Sequence, residues 1–383
     1  MNTALGYLGN IPDGWNLVHL GRLTSEVRTL NSNCSETNAL QFKMGNIISK
    51  STGDSKYHPE TLEGYTIVTP GDVVVNGLNL NYDLKSLRVG QVRENGVITS
   101  AYIIVRPEKI DADYFKYLLK GFDSIKTFHG MGKGIRLTLG YEELRRMYIP
   151  VPSPLEQSRI AAFLDERCGK IDEAIAKHKA LIEKLDEYRK AVITAIMKFC
   201  NSDTRKLKFC VKLCTEKAND KDNYIALENI ESQTGRYIGN KVFPDGEAVA
   251  TKQGYVLFGK LRPYLAKCYV TEQDGCCSGE FLVMDCYKVS ARFLQYVLLE
   301  QNLVDKINMS TYGTKMPRAN WDFIRNQLIP VPSPNEQSEI VAYLDEKCAA
   351  IDSAKERHAQ LIAKLEEYKK SLIFNAVTGK FEC

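Results

Sequence analysis

One passage of this chain occurs twice. The run opening at Ile149, IPVPSPLEQSRIAAFLDERC, continues into IDEAIAKHKALIEKLDEYRKAVI, and the run opening at Ile329, IPVPSPNEQSEIVAYLDEKC, continues into IDSAKERHAQLIAKLEEYKKSLI. About half of roughly fifty aligned positions are identical, without a gap, at a period of roughly 180 residues. A period that long is too large for a solenoid repeat. It marks a duplicated domain, each copy followed by a duplicated helix, and such a chain presents two similar surfaces on a common spacer.

With 383 residues there is room for two or three domains with their own cores. The predicted organisation is a globular half over 1–148, a helix over 149–200, a second globular half over 201–328, and a second helix with its tail over 329–383. No apolar run is long enough to span a bilayer and no signal-peptide pattern opens the chain, so the cytoplasm is the expected compartment. The 11 cysteines then read as reduced thiols. Cys210/Cys214 and Cys276/Cys277 lack zinc-knuckle spacing, and no metal site is expected. Cys168 and Cys348 recur with the repeat and read as small buried hydrophobes. The net charge is only +4. A nucleic-acid binder of that charge must concentrate its cations on one face and offset them elsewhere, as the acidic helices allow.

Each helix start is marked. Ser153 and Ser333 sit where they can cap free backbone N–H groups, Pro154 and Pro334 suit the first helical position, and Glu156 and Glu336 complete capping boxes. The Pro-rich lead-ins hold the entering chain extended. Within the helices the apolar period is seven. One row runs through Leu164, Ile171, His178 and Leu185, matched by Leu344, Ile351, His358 and Leu365. A second runs through Ile160, Ala174, Leu181 and Tyr188, matched by Ile340, Ala354, Leu361 and Tyr368. The pattern predicts an antiparallel pair of long helices with a pseudo-two-fold axis near its middle. His178 and His358 would then be polar, register-setting seam residues.

The globular halves read as mixed α+β. Strand-like runs occur at residues 65–68, 72–75, 102–105, 255–258 and 280–284, with short helices over 114–119 and 293–298. Each half ends in a basic segment containing glycine. The first holds Lys133, Arg136 and Thr138; the second holds Tyr312, Lys315, Arg318 and Asn320. A second cluster, Lys260, Arg262 and Lys267, matches a segment in the first half with Asn76, Asn79, Lys85 and Arg88. Glycine lets backbone approach a phosphate, lysine and arginine neutralise phosphates, and arginine or asparagine can read a base edge with two bonds. These residues are the candidate DNA contacts. No P-loop occurs, and Asn79-Leu-Asn-Tyr82 lacks both prolines of an amino-methyltransferase motif. Catalytic residues are therefore not assigned.

The arrangement of domain, Pro-x-Pro-x-x-Glu-Gln helix, domain and Pro-x-Pro-x-x-Glu-Gln helix resembles the specificity subunit of a Type I restriction–modification system. Ile149–Gln157, Ile329–Gln337 and the segment from Gly313 to Asn320 carry the resemblance. It implies two target-recognition domains, each reading half of a split duplex DNA sequence, with the antiparallel helices as a ruler. It implies two copies of a modification subunit, which would flip and methylate adenine with S-adenosylmethionine that this chain does not itself bind, and a restriction subunit with translocase and nuclease activity. Residues 1–20 and the tail after Gly379 would lie close together. Two other readings stand beside it. A single-chain methyltransferase or endonuclease would need motifs that the chain lacks, and a coiled-coil scaffold would leave the basic loops unexplained.

Overall fold

The order of elements repeats as the sequence does. A computed structural model describes residues 8, 11–50, 61–82, 84–200, 202–218, 222–239, 242, 246–311 and 316–381. Two compact units result, Met1–His178 with Gln360–Cys383, and Lys179–Ala359. Each unit takes one globular half and part of each long helix. Helices and strands are both present throughout, as an α+β chain requires.

The first globular half runs β1 (Asn16–His19), β2 (Thr24–Glu26), β3 (Leu40–Lys43), β4 (Asn46–Ser49), β5 (Tyr65–Val68), β6 (Val73–Val75), β7 (Val89–Gln91), β8 (Gly96–Thr99), β9 (Ile103–Pro107), α1 (Ala112–Ser124), α2 (Tyr141–Leu144) and β10 (Tyr148–Val151), leading into α3 (Pro154–Phe199). The second runs β11 (Thr204–Lys206), β12 (Val211–Cys214), β13 (Tyr224–Ile225), β14 (Ala248–Thr251), β15 (Val256–Gly259), β16 (Cys268–Val270), β17 (Gly275–Ser278), β18 (Phe281–Cys286), α4 (Ala291–Leu299), α5 (Gln301–Met309), α6 (Trp321–Ile324) and β19 (Leu328–Pro330), leading into α7 (Pro334–Val377). The main sheets have orders β2-β9-β6-β7 and β12-β18-β15-β16, antiparallel throughout. In each half the first strand pairs with the last, β1 with β10 and β11 with β19, so the Pro-rich lead-in is anchored just before its helix.

The central strands are apolar on both faces because each face meets a separate core. Val73, Val75, Ile103 and Val105 pack toward Tyr114, Phe115, Leu118 and Phe122 of α1, whereas Val74 and Ile104 face Leu40, Ile47, Val68 and Ile98. The second unit repeats this division, with Val256, Phe258 and Met284 toward α4, and Leu257 and Val283 toward Ile225 and Cys277. Helix α1 starts at Asp111, whose carboxylate accepts from Asp113 N and Tyr114 N at 3.0 and 2.8 Å. Ser290 does the same for α4 through Phe293 N at 3.2 Å.

Helices α3 and α7 contain 46 and 44 residues, which at about 1.5 Å per residue makes each more than about 60 Å long. The capping box at α7 is reciprocal: Ser333 N donates to Glu336 Oε2 at 2.9 Å and Glu336 N to Ser333 Oγ at 3.4 Å. At α3, Ser153 Oγ accepts from Glu156 N at 3.4 Å, and the Glu156 carboxylate accepts from the Trp15 indole at 3.1 Å. Past α7, Gly379 takes a left-handed φ of 71°. Lys380 N donates back to Asn375 O at 2.9 Å, closing the helix end. A side chain at Gly379 would put Cβ 2.2 Å from Pro12 Cγ, so the tail does lie against the early residues of the same unit.

The seam differs from its predicted composition. Leu164, Ile171, Leu344 and Ile351 are buried, and His178, Leu185, His358 and Leu365 are half-buried. The second row is inward only over its first part, where Ile160 is buried and Ala174, Ile340 and Ala354 are half-buried, and then turns outward. Leu181 and Leu361 are each 42% exposed, and Tyr188 and Tyr368 more so. The inward row lies one residue further on, through Cys168, Ile175, Ile182 and Arg189, and through Cys348, Lys355, Ile362 and Lys369. Its cations made it look outward in sequence. Within the second unit Arg189 pairs with Asp352 and Lys355 with Asp186; within the first, Lys369 meets Asp172 at 2.6 Å. The partners run in opposite directions along the two helices, so the paired stretches are antiparallel. Arg189–Asp352 and Lys369–Asp172 are the same pair one repeat apart. No helix among the described residues is long and apolar enough to cross a membrane.

This seam predicts unequal costs for two leucines of one helix pair. Leu344→Ala should lower unfolding free energy by about 2–5 kcal/mol, and Leu181→Ala by no more than about 1 kcal/mol. Denaturant titrations compare them, and equal losses would restore the original row assignment.

Candidate nucleic-acid interface

The basic segments that stand apart in sequence meet in space in both units. In the first, the Asn-rich turn after β6 is hydrogen-bonded to the segment before α2: Leu80 N donates to Leu137 O at 3.1 Å, Leu139 N to Gly77 O at 2.9 Å, and Asn81 Nδ2 to Ile135 O at 3.3 Å. That segment is itself a tight hairpin. Lys133 and Thr138 bridge antiparallel, Leu137 N donates to Gly134 O at 3.1 Å, and Gly134 supplies a φ of 75° that most side chains would resist. In the second unit, Arg262 N donates to Pro317 O and Ala319 N to Lys260 O, both at 2.8 Å, so the loop after β15 is sewn to the segment before α6.

The candidate residues divide by role. Asn79, Lys85, Lys133, Arg136 and Thr138 are exposed in the first unit, as are Arg262, Arg318 and Asn320 in the second. Lys133 pairs with Glu143 at 2.6 Å and Arg318 with Glu280 at 2.8 Å. The Lys133 ammonium holds the Glu143 carboxyl below its ordinary pKa. Exposed ion pairs of this kind contribute about 0–1 kcal/mol, so a phosphate can replace the carboxylate at little cost. Tyr312 and Lys315 lie outside the described residues.

Arg88, expected among the DNA contacts, is instead a buried structural residue. It is 3% exposed, and its guanidinium donates to Asn76 O, Leu78 O and Asn79 O at 3.2, 2.9 and 3.4 Å. It shapes the Asn-rich turn from below and does not face a ligand. Its backbone N–H donates to Asp123 at 2.7 Å, although burial still raises that carboxyl's pKa. Asn76 is half-buried and turns its side chain onto Leu78 N at 3.1 Å. Lys267 is half-buried and donates to Leu227 O at 2.7 Å, its pKa lowered by burial; it too braces a loop. Asn320 caps α6, accepting from Asp322 N at 2.9 Å, and Lys260 is half-buried between Glu280 O and Ala319 N.

Two residues on the same face were missed. Ile135, at the hairpin tip, is 97% exposed, and Tyr82 is 79% exposed. An apolar side chain reads in sequence as core, and only the flanking Gly134 hinted that Ile135 sits on a turn.

Comparison with known proteins gives a consistent result. A family model described as the Type I restriction modification DNA specificity domain matches residues 199–363. The Type I restriction enzyme EcoDI specificity subunit of Escherichia coli is 22% identical over 321 residues, 72% of each chain. A solved chain described under complex assembly and conformational transition of the type I R-M system superposes with a TM-score of 0.72 at 14% identity, over 97% of this chain and 100% of the other. The HsdS subunit from Thermoanaerobacter tengcongensis superposes at 0.53 and 14% identity, over 97% and 98%.

If the exposed cations neutralise phosphates, replacing Lys133 and Arg136 with Ala should weaken duplex binding and flatten its log–log salt dependence by about 0.9 per lost contact. Arg88→Ala should instead lower the melting temperature. An unchanged salt slope in the Lys133/Arg136 double variant would remove this face from the interface.

Proposed function

We propose that the chain is a DNA specificity subunit of a Type I restriction–modification system, in which each globular half reads one short block of a bipartite duplex target while the long helices fix the unread gap. The observation that carries this reading is the recurrence, in each unit, of two basic loops joined backbone to backbone at the same station before the long helix. Among the described candidate residues, Arg136, Arg262 and Arg318 present exposed guanidiniums, suited to base edges in the major groove or to the phosphates that flank it.

The chain itself is read as non-catalytic. Chemistry would come from two copies of a modification subunit that flips and methylates adenine with S-adenosylmethionine, joined for cleavage by a restriction subunit. The apolar positions left outside the seam, Leu181 and Tyr188 in one unit and Leu361 and Tyr368 in the other, are surfaces on which such subunits would pack. Half-sites one helical turn apart need reading centres about 34 Å apart, and helices of this length are sufficient for that. The cytoplasm, where such DNA lies, is the compartment this role requires.

The ruler can be tested by inserting one heptad into each long helix. Seven residues lengthen a helix by about 10 Å, or about three base pairs. Methylation by the assembled complex should then require a gap about three base pairs longer between the same two blocks. A change in either block, with the gap unaltered, would contradict the proposed division of labour.

A further inference from the structure

The repeat preserves residues that neither the seam nor the basic loops use. Gln157 and Gln337 are each 3% exposed. In the first unit, Gln157 Oε1 accepts from Asp111 N at 2.8 Å and its Nε2 donates to Pro152 O at 2.9 Å. In the second, Gln337 Oε1 accepts from Ser290 N at 2.7 Å and its Nε2 donates to Pro332 O at 2.9 Å. Asp111 and Ser290 are the caps of α1 and α4, so each glutamine ties the start of a recognition-domain helix to the lead-in of a long helix.

Two turns further along, the same elements are tied again. Tyr117 donates to Asp165 Oδ1 at 2.6 Å, with Lys116 Nζ at 3.0 Å from the same oxygen. Tyr296 donates to Asp345 Oδ1 at 2.5 Å, with Arg292 Nη2 at 2.6 Å. The tyrosines occupy the same place after their caps, and the aspartates recur with the repeat. Burial, then the hydrogen bond to aspartate, raises both phenol pKa values, so the hydroxyls remain donors.

Two anchors eight residues apart on a helix are separated by about 12 Å. The apolar core that each long helix shares with its domain helix holds the two together but is non-directional, and one polar anchor fixes only a point. Two anchors, with the strand pair ahead of the helix, fix the angle as well. A gap of one extra base pair demands a shift of about 3.4 Å and a rotation of about 34° between half-sites. Angular freedom at the seat of either domain is therefore what a fixed gap cannot tolerate.

We propose that the Gln157/Tyr117–Asp165 and Gln337/Tyr296–Asp345 pairs of anchors are positioning devices that set gap specificity. This rests on the two-block reading above. The anchors touch no base. They act by holding each reading surface at one angle on its helix.

The test uses the chain assembled with its modification subunit and a set of duplexes whose two blocks are separated by the native gap and by gaps one and two base pairs shorter or longer. The variants are Tyr117→Phe with Asp165→Asn, and Tyr296→Phe with Asp345→Asn, which keep side-chain shape and volume; assembly is checked by gel filtration. Preference for the native gap over its one-base-pair neighbours should fall about tenfold, the scale of one lost charge-assisted hydrogen bond, with both blocks unchanged. Retained preference, or an equal loss of methylation at every gap, would overturn the proposal. Tyr117→Phe and Tyr296→Phe alone repeat the test should a double variant fail to assemble. If the wild-type complex methylates no two-block target, the functional reading fails instead, so the two failures are distinct.

Discussion

A buried glutamine side chain must satisfy both its amide ends, and here both ends serve to join separate elements. Gln157 and Gln337 each link a helix cap in a globular half to the carbonyl just before a long helix. Left without partners in so enclosed a place, either amide would cost about 1–3 kcal/mol. With them, the domain and the spacer become one piece. The same lead-ins are held by the β1–β10 and β11–β19 strand pairs, so strand pairing and glutamine together join each globular half to its long helix.

The long helices illustrate a second constraint. A wholly apolar seam would bury more surface, yet this one places Arg189, Lys355 and Lys369 inward and meets them with Asp352, Asp186 and Asp172. Buried ion pairs are weak sources of stability, since desolvation offsets attraction. Their geometric demand is strict, however. A helix slipped by one turn would leave a half-buried cation without its carboxylate. Repeated pairs of this kind suit a spacer whose length has to be single-valued, because they penalise every other register.

Much of the architecture was legible in the sequence because the duplication supplied an internal comparison. The start of each long helix and the strands at residues 65–68, 72–75 and 255–258 followed from local rules, and the antiparallel direction from the repeated apolar pattern. The second seam row did not, because Leu181 and Tyr188 look more like core than Arg189 does. Arg88 was misplaced for the same kind of reason: a cation in an Asn-rich loop reads as surface, and only the fold reveals three backbone carbonyls around it. The anchors had a signal that did not single them out. Gln157, Asp165 and their counterparts Gln337 and Asp345 are identical across the repeat, but so are many neighbours with no such contact, among them Ser158 and Glu166. Ile135 had no signal beyond a flanking glycine, since exposure is a property of the folded chain.

The modest net charge of +4 fits a chain whose exposed loop cations are offset by carboxylates that serve seams, caps and anchors elsewhere. The central claim is that two such surfaces read two blocks of DNA at one fixed separation. It is tested most directly by producing the chain together with its modification subunit in a methylation-free host and mapping methylated adenines across the genome. The expected result is one split motif, two short defined blocks around a gap of constant length. Methylation at a single undivided motif, or none from a soluble and assembled complex, would contradict it.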